Sequence, residues 1–472
     1  MRRVVRRKDQ VMATHVALTA GVLDGLAARL RGRLVRPGDV DYDDVRAVFN
    51  ALIDRKPAAI ARCRDASDVA HGIDFARDHG LPLSVRGGGH SVAGNAVCDG
   101  GLVLDLSGMK TLHVDPGCRL ALAGSGLTLG ELDRGTQQHG LATPSGAVSM
   151  TGIAGLTLGG GLGWLNGRYG LACDNVVAAD VVTADGALVR VDAEEHPDLF
   201  WAIRGGGGNF GVVTRFTYRL HPVGPVLAGS LTFPADTAGR VLRHFDEFMA
   251  AAPDELSAAV SFGLDGGRPV LSVTVCWCGP VDDGERTLRP LRAMGPPLAD
   301  SIGVMPYVDL QSAGDAGFPR GRRHYWKAGF LPRLTVGAVE VLLEHLPQMP
   351  SALSGIGAQH MHGAAGRIPA TATAFPHRAD QYDLQLLSQW ADPQDTERNV
   401  AWTRDLFESL RPHLQDAVYV NNLGSEGPDR VRAAYGANLP RLAELKRVYD
   451  PTNLFRLNHN IAPARPDTAF VP

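Results

Sequence analysis

Residues 85–91 read Val85-Arg86-Gly87-Gly88-Gly89-His90-Ser91. Three consecutive glycines free the backbone to take positive φ angles, so that successive N–H groups can converge on one anion. His90, a nucleophilic side chain, follows at the lip of that cradle. A phosphate-binding loop ending in a histidine points to a cofactor that is both cradled and covalently caught. A second glycine cluster comes later, Thr151-Gly152-Ile153-Ala154-Gly155-Leu156-Thr157-Leu158-Gly159-Gly160-Gly161-Leu162-Gly163. The pair does not make the usual dinucleotide fold, in which G-x-G-x-x-G opens a long helix directly after a first strand and an acidic residue follows about twenty residues later.

Outward from the loop the chain alternates short elements. Residues 83–86 read as a strand running into it, and Asp65-Ala66-Ser67-Asp68 caps a helix that runs to His79 and stops at Gly80. Residues 102–106 and 120–124 are strands, and 127–139 is a helix ended by Gly140. Residues 176–183 and 188–192 form a hairpin across Asp185-Gly186, and 211–219 is a further strand. Leu220-His221-Pro222-Val223-Gly224-Pro225 then breaks the pattern. Beyond the break, 226–233, 257–262, 270–277, 356–362 and 383–390 read as strands of a new sheet, with amphipathic helices at 336–346 and 399–410. A helix is also expected within 14–31. The fold class is α+β, with a second domain at about 225–420.

The chain has 472 residues, enough for two or three domains. Its formal net charge of −3 gives no field that favours nucleic acid or an acidic membrane surface. Glycine (56) and proline (30) run high, but the glycines are clustered, which marks specific loops and not low complexity. Six cysteines show no C-x-x-C pair and read as packed thiols in a reducing compartment. The basic lead Arg2, Arg3, Arg6, Arg7, Lys8 has no evident cleavage site after it, which favours a cytoplasmic protein and leaves export open. No apolar run reaches the ~18 residues of a membrane span.

Taken together, the two glycine clusters and the tail resemble the berberine-bridge-enzyme-like FAD-linked oxidases of the p-cresol methylhydroxylase/vanillyl-alcohol oxidase superfamily. Beside those clusters the resemblance is carried by Gly167-Arg168-Tyr169-Gly170-Leu171, Leu199-Phe200-Trp201-Ala202-Ile203-Arg204-Gly205-Gly206-Gly207-Gly208-Asn209-Phe210-Gly211, Tyr419-Val420-Asn421, and Tyr449-Asp450-Pro451-Thr452-Asn453-Leu454-Phe455-Arg456-Leu457-Asn458-His459-Asn460-Ile461. It covers residues 55 to 465, nearly the whole chain. It implies a two-part FAD-binding domain, residues 1–224 completed by a returning segment 421–472. Between them, residues 225–420 form a substrate domain whose antiparallel sheet is covered by helices.

The resemblance also implies roles. Arg86, Gly87, Gly88, Gly89 and Ser91 hold the FAD diphosphate, and His90 bonds to the flavin 8-methyl carbon. Many relatives carry a second link from a cysteine; counting back from Gly152, that position is Val148, so the resemblance implies a single link and argues against an oligosaccharide oxidase. Thr151 lies near the reactive flavin nitrogen or simply caps the following turn. Gly152, Gly155, Gly160 and Gly161 allow close approach to the cofactor, Val212 and Val213 pack by its adenosine, and Asn458 and Asn460 approach its polar atoms.

Oxidation also needs a proton acceptor. Tyr419 is the first candidate, with Tyr169 second and equally a packing residue. His362, Tyr325, Trp326 and Trp390 are candidate pocket walls. His360 and His362 have strand spacing for a metal, yet no third ligand is evident. The expected activity is an FAD oxidase that takes two electrons from a small alcohol, amine or natural-product intermediate and passes them to O₂, in a monomer or homodimer. A dehydrogenase using another acceptor and a drug-sequestering flavoprotein without turnover remain as alternatives.

Overall fold

The computed structural model describes residues 18–465. The basic lead and the first part of the expected 14–31 helix lie outside the described residues; the helix itself runs Ala20–Arg29. Four strands form a first sheet in the order Arg33–Val35, Ala59–Arg62, Leu102–Asp105, Leu83–Arg86. Its last three strands are mutually parallel, so the 87–91 loop leaves the carboxyl end of a parallel strand. That end is where open α/β sheets place their ligands. The helix behind it, Ala66–Asp78, starts where the Asp65 carboxylate accepts the N–H groups of Ser67 and Asp68.

A five-stranded antiparallel sheet follows, in the order Leu112–Asp115, Leu120–Gly124, Val212–Arg219, Val176–Val182, Leu188–Asp192. The helix Leu129–Gln137 packs beside it and opens with a capping box between Thr128 and Glu131. The second glycine cluster is not all loop: Ile153–Leu158 makes a short helix.

After the Leu220–Pro225 break comes an antiparallel eight-stranded sheet. Its central order is Val226–Pro234, Arg268–Trp277, Leu256–Asp265, Gly355–Met361, Gln381–Trp390, Arg323–Leu331. One face is apolar. Leu231, Val273, Val260, Ala358, Leu384 and Leu386 pack there against helices Ala238–Met249, Val281–Arg292, Val336–His345 and Thr396–Leu410. Period-2 alternation turns the other face of the same strands towards the first half of the chain. The chain then returns: Val418, Val420, Tyr435, Leu442 and Ile461 share one apolar cluster with Ile153, Val181 and Phe210. Among the described residues no helix is long and apolar enough to cross a membrane.

Candidate active site

A cavity of about 320 Å³ lies between the two glycine segments, the returning tail and the open face of the eight-stranded sheet. Gly87, Gly88, Gly89, His90, Ser91, Thr151, Gly152, Gly155, Val212, Val213 and Asn458 line it, as do Trp326 and Tyr419. The first two segments touch back to back. A Cβ on Gly88 would stand 2.3 Å from the Gly152 nitrogen, so glycine at 88 is a condition of the contact. Val148 also lines the wall, with an isopropyl group and no thiol. Thr151 donates its N–H to Val148 O (3.1 Å), closing a turn at this wall.

The His90 imidazole is turned inward. Burial, aided by the positive charge of Arg320, pushes its pKa down to about 4, so the ring is neutral near pH 7. Its Nε2 has no hydrogen-bond partner. Neutrality is what a histidine nucleophile requires.

Other sequence-predicted residues stand elsewhere. Arg86 is not in the cavity wall: its guanidinium lies beneath the loop, paired with the buried Asp105 (2.8 Å) and with Val45 O. Gly160 and Gly161 also lie off the wall; the Gly161 N–H donates to the Tyr419 hydroxyl at 2.7 Å. Asn460 is one residue beyond the lining His459, and its Oδ1 is buried without a partner. Tyr169 is outside the cavity, stacked on His221 at 4.0 Å with its hydroxyl on Pro222 O. Tyr325 precedes Trp326 on a strand and so faces the other way, where its hydroxyl accepts from Arg404. His362 follows the end of its strand and binds Leu256 O at 2.6 Å. Trp390 is buried at the far end of its strand, donating to Thr396 Oγ1.

The sheet face brings polar residues that the sequence reading missed. Gln359 and Asp383 are register partners, Gln385 lies two residues along, and Gly357 and Ala328 flank Gln385. Asp383 is 1% exposed. Its Oδ2 accepts from Gln385 Nε2 (2.8 Å) and Asn422 Nδ2 (2.7 Å), while Oδ1 has no partner. Burial pushes its pKa up to about 7, against the pull of the two amide donors. Gln359 Nε2 and Trp326 Nε1 also lack partners at this wall.

Tyr419 is arranged differently. Its oxygen accepts the Gly161 N–H and the Asn421 Nδ2–H, each at 2.7 Å. Burial raises its pKa above the ordinary phenol value. The two donors favour the phenolate, but burial outweighs them, so the hydroxyl stays protonated near pH 7 and is free to donate into the cavity.

Two family models match the chain, an FAD binding domain over residues 57–192 and a berberine and berberine-like domain over 418–462. An uncharacterised FAD-linked oxidoreductase of Bacillus subtilis is 32% identical over 449 residues, covering 94% of this chain and 99% of the relative. The (R)-6-hydroxynicotine oxidase of Paenarthrobacter nicotinovorans is 33% identical over 452 residues, covering 92% and 97%. The chain belongs to the berberine-bridge-enzyme-like family of FAD-linked oxidoreductases.

Among solved structures, 6-hydroxy-D-nicotine oxidase from Arthrobacter nicotinovorans superposes with a TM-score of 0.84 at 31% identity, covering 92% of this chain and 98% of that one. Berberine bridge enzyme from Eschscholzia californica superposes at 0.85 with 23% identity, covering 94% and 99%, and shows the shared fold. The residues present fit FAD. A Cβ added to Gly155 would meet nothing within 4 Å, so the helix start at 153 opens onto free space, and an unpartnered imidazole nitrogen is buried at the same wall.

Proposed function

We propose that this oxidoreductase is an FAD-dependent oxidase acting on a small alcohol, amine or natural-product intermediate, with FAD tethered through His90 alone. In this reading residues 87–91 hold the diphosphate, Gly152 and Gly155 receive the ring system, and Val212 and Val213 pack by the adenosine. Asn458, whose Nδ2 donates to Gly208 O at 2.9 Å, and the neighbouring Asn460 border the cofactor's polar part. Bound FAD would supply the acceptor for two electrons, as hydride at its N5, and O₂ would carry them away as H₂O₂.

The chain supplies the proton chemistry. Asp383 takes the O–H or N–H proton of the substrate at its free Oδ1. Its pKa of about 7 leaves a large carboxylate fraction at neutral pH and a base strong enough to draw that proton. Tyr419 points its hydroxyl proton at the reacting substrate atom and orients it. Gln359 and Trp326 offer donors to a substrate acceptor group. The domain reading, 1–224 with 421–472 around 225–420, is part of the proposal and is supported by Leu442 and Ile461, which share one apolar cluster with Phe210.

The observation that carries the proposal is one cavity with a neutral imidazole on one wall and, on another, a buried carboxyl whose Oδ1 has no partner. The relative named as an oxidase supports O₂ as acceptor. The test is anaerobic: purified protein is mixed with hydroxylated and amine compounds and the flavin absorbance followed, then air is admitted. Bleaching followed by rapid recovery with H₂O₂ release is the expected result. Bleaching with slow recovery in air indicates a dehydrogenase, and a flavin that never bleaches indicates a binding protein. His90→Ala is expected to release the colour on acid precipitation; a coloured mutant precipitate overturns the tether.

A further inference from the structure

Phe49 and Asn50, to which the sequence reading gives no role, are both buried where the 87–91 loop meets the eight-stranded sheet. The Phe49 N–H donates to Gly89 O at 3.0 Å, directly before the tether candidate. One face of its ring stacks on His90, with centroids 3.8 Å apart and planes 17° apart. The other face stacks on His324 at 4.3 Å and 27°. Asn50 fixes both neighbours: its Nδ2 donates to Val92 O and His324 O, each at 3.0 Å, and its Oδ1 accepts from His324 N at 2.9 Å. Ala51 N–H adds a bond to Arg322 O at 2.9 Å. Three rings are thus layered across the seam, with the phenyl in the middle and every backbone around it tied down.

We propose that Phe49, braced by Asn50 and backed by His324, is the positioning residue that presents the His90 ring for covalent attachment to FAD. The inference rests on reading His90 as the tether. Forming that link joins an imidazole nitrogen to the flavin 8-methyl carbon. The imidazole N–H proton and one methyl proton are lost, and two electrons pass through the ring to O₂, which leaves as H₂O₂. The reaction needs one ring orientation and a neutral nitrogen. The stacked phenyl holds the imidazole in one plane and screens one face from water.

Burial accordingly dominates the downward shift of His90. The charged or titratable groups acting on it are Arg320, which lowers its pKa, and Asp315, which opposes this; His324, coupled to His90 across the phenyl, is itself pushed down to about 3.

The experiment uses full-length apoprotein incubated with FAD. Covalent flavin is read by fluorescence of the denatured protein on a gel, and non-covalent binding by quenching of free FAD. Phe49→Leu is expected to bind FAD yet attach it at least about tenfold more slowly, the scale of loss that follows from misplacing a reacting group. Its attachment is also expected to fall off at a higher pH than that of the wild type, whose His90 stays neutral down to about pH 4. Phe49→Tyr, which keeps the ring, is expected to restore both rate and pH profile. Attachment by Phe49→Leu at the wild-type rate and profile overturns the inference. If that variant fails to fold by its melting curve, His324→Leu decides in the same way. A wild type with no covalent flavin removes the tether reading itself; a covalent wild type with an indifferent Phe49→Leu removes this inference alone.

Discussion

Asp383 sits in the strand Gln381–Trp390 with a carboxyl that has two amide donors, no cation and one bare oxygen. A buried acid at about 7 is a base poised for neutral pH, and it must be ionised to act. Wild-type anaerobic flavin reduction is therefore expected to rise with pH through about 7 and level off above it. Asp383→Asn keeps the shape, removes the proposed base, and is expected to slow reduction by roughly 10²–10⁴ and erase the rise. Tyr419→Phe removes one donor and is expected to slow reduction by about tenfold, roughly the worth of one hydrogen bond, while the rise with pH survives. Stopped-flow reduction across pH separates the two residues, and the opposite pattern returns the base to Tyr419. Little around Asp383 in the sequence announces it, because the burial that raises its pKa is supplied by the fold, and one of its two amide donors, Asn422, comes from a distant segment. The available signal was an acid and an amide two residues apart, alternating with Leu384 and Leu386, a placement that strand propensity disfavours for the acid.

The tail shows what an element needs in order to hold a site. The last turn of helix Leu439–Tyr449 carries Lys446, which is completely buried. Its three ammonium protons go to Asp450 Oδ2 (2.6 Å), Asn209 O (2.6 Å) and Phe455 O (3.2 Å). The Asp450 carboxylate also accepts the N–H groups of Leu454 and Phe455. The Asp450-Pro451-Thr452-Asn453-Leu454-Phe455 stretch was visible in the sequence as a signature, but its partner Lys446 was not, since a lysine in a helix ordinarily reads as a solvated charge. The pair joins the tail to Asn209 beside the cavity. Removing one member strands the other charge, which costs about 3–5 kcal/mol. Lys446→Met is expected to lower the unfolding free energy read from a urea titration by that amount, and to weaken FAD retention; an unchanged midpoint and slope contradict the buried pair. Strand Arg323–Leu331 escaped the sequence reading for a related reason: Arg323-His324-Tyr325-Trp326-Lys327 is polar and aromatic on both faces, because one face meets the cavity and the other Arg404.

At the scale of the molecule, the two glycine segments and the break at 220–225 announce a cofactor-binding part and a second sheet, while strand order stays hidden. Val212–Arg219 inserts between Leu120–Gly124 and Val176–Val182, a pairing that depends on long-range packing and leaves no local trace. Histidine burial across this assembly has a thermodynamic consequence. His90, His221 and His459 are pushed down to about 4 and His324 to about 3, each chiefly by desolvation. A lowered histidine contributes stability that is complete above its unfolded value near 6.5 and is lost as pH falls through its folded value. Asp133 and Asp383, raised to about 7, act in the opposite sense, since their ionisation penalty is relieved on acidification. Between about pH 6.5 and 4 the four imidazoles outnumber the two carboxyls, so the unfolded chain takes up more protons than the native one. The melting temperature is expected to fall over that window. His324→Phe keeps the stack on Phe49, removes a titrating group whose two ring nitrogens have no partners, and is expected to melt higher at pH 7 and to lose less on acidification. Calorimetry at several pH values checks both: parallel wild-type and His324→Phe slopes would mean that His324 is hydrated and ionises in the native fold.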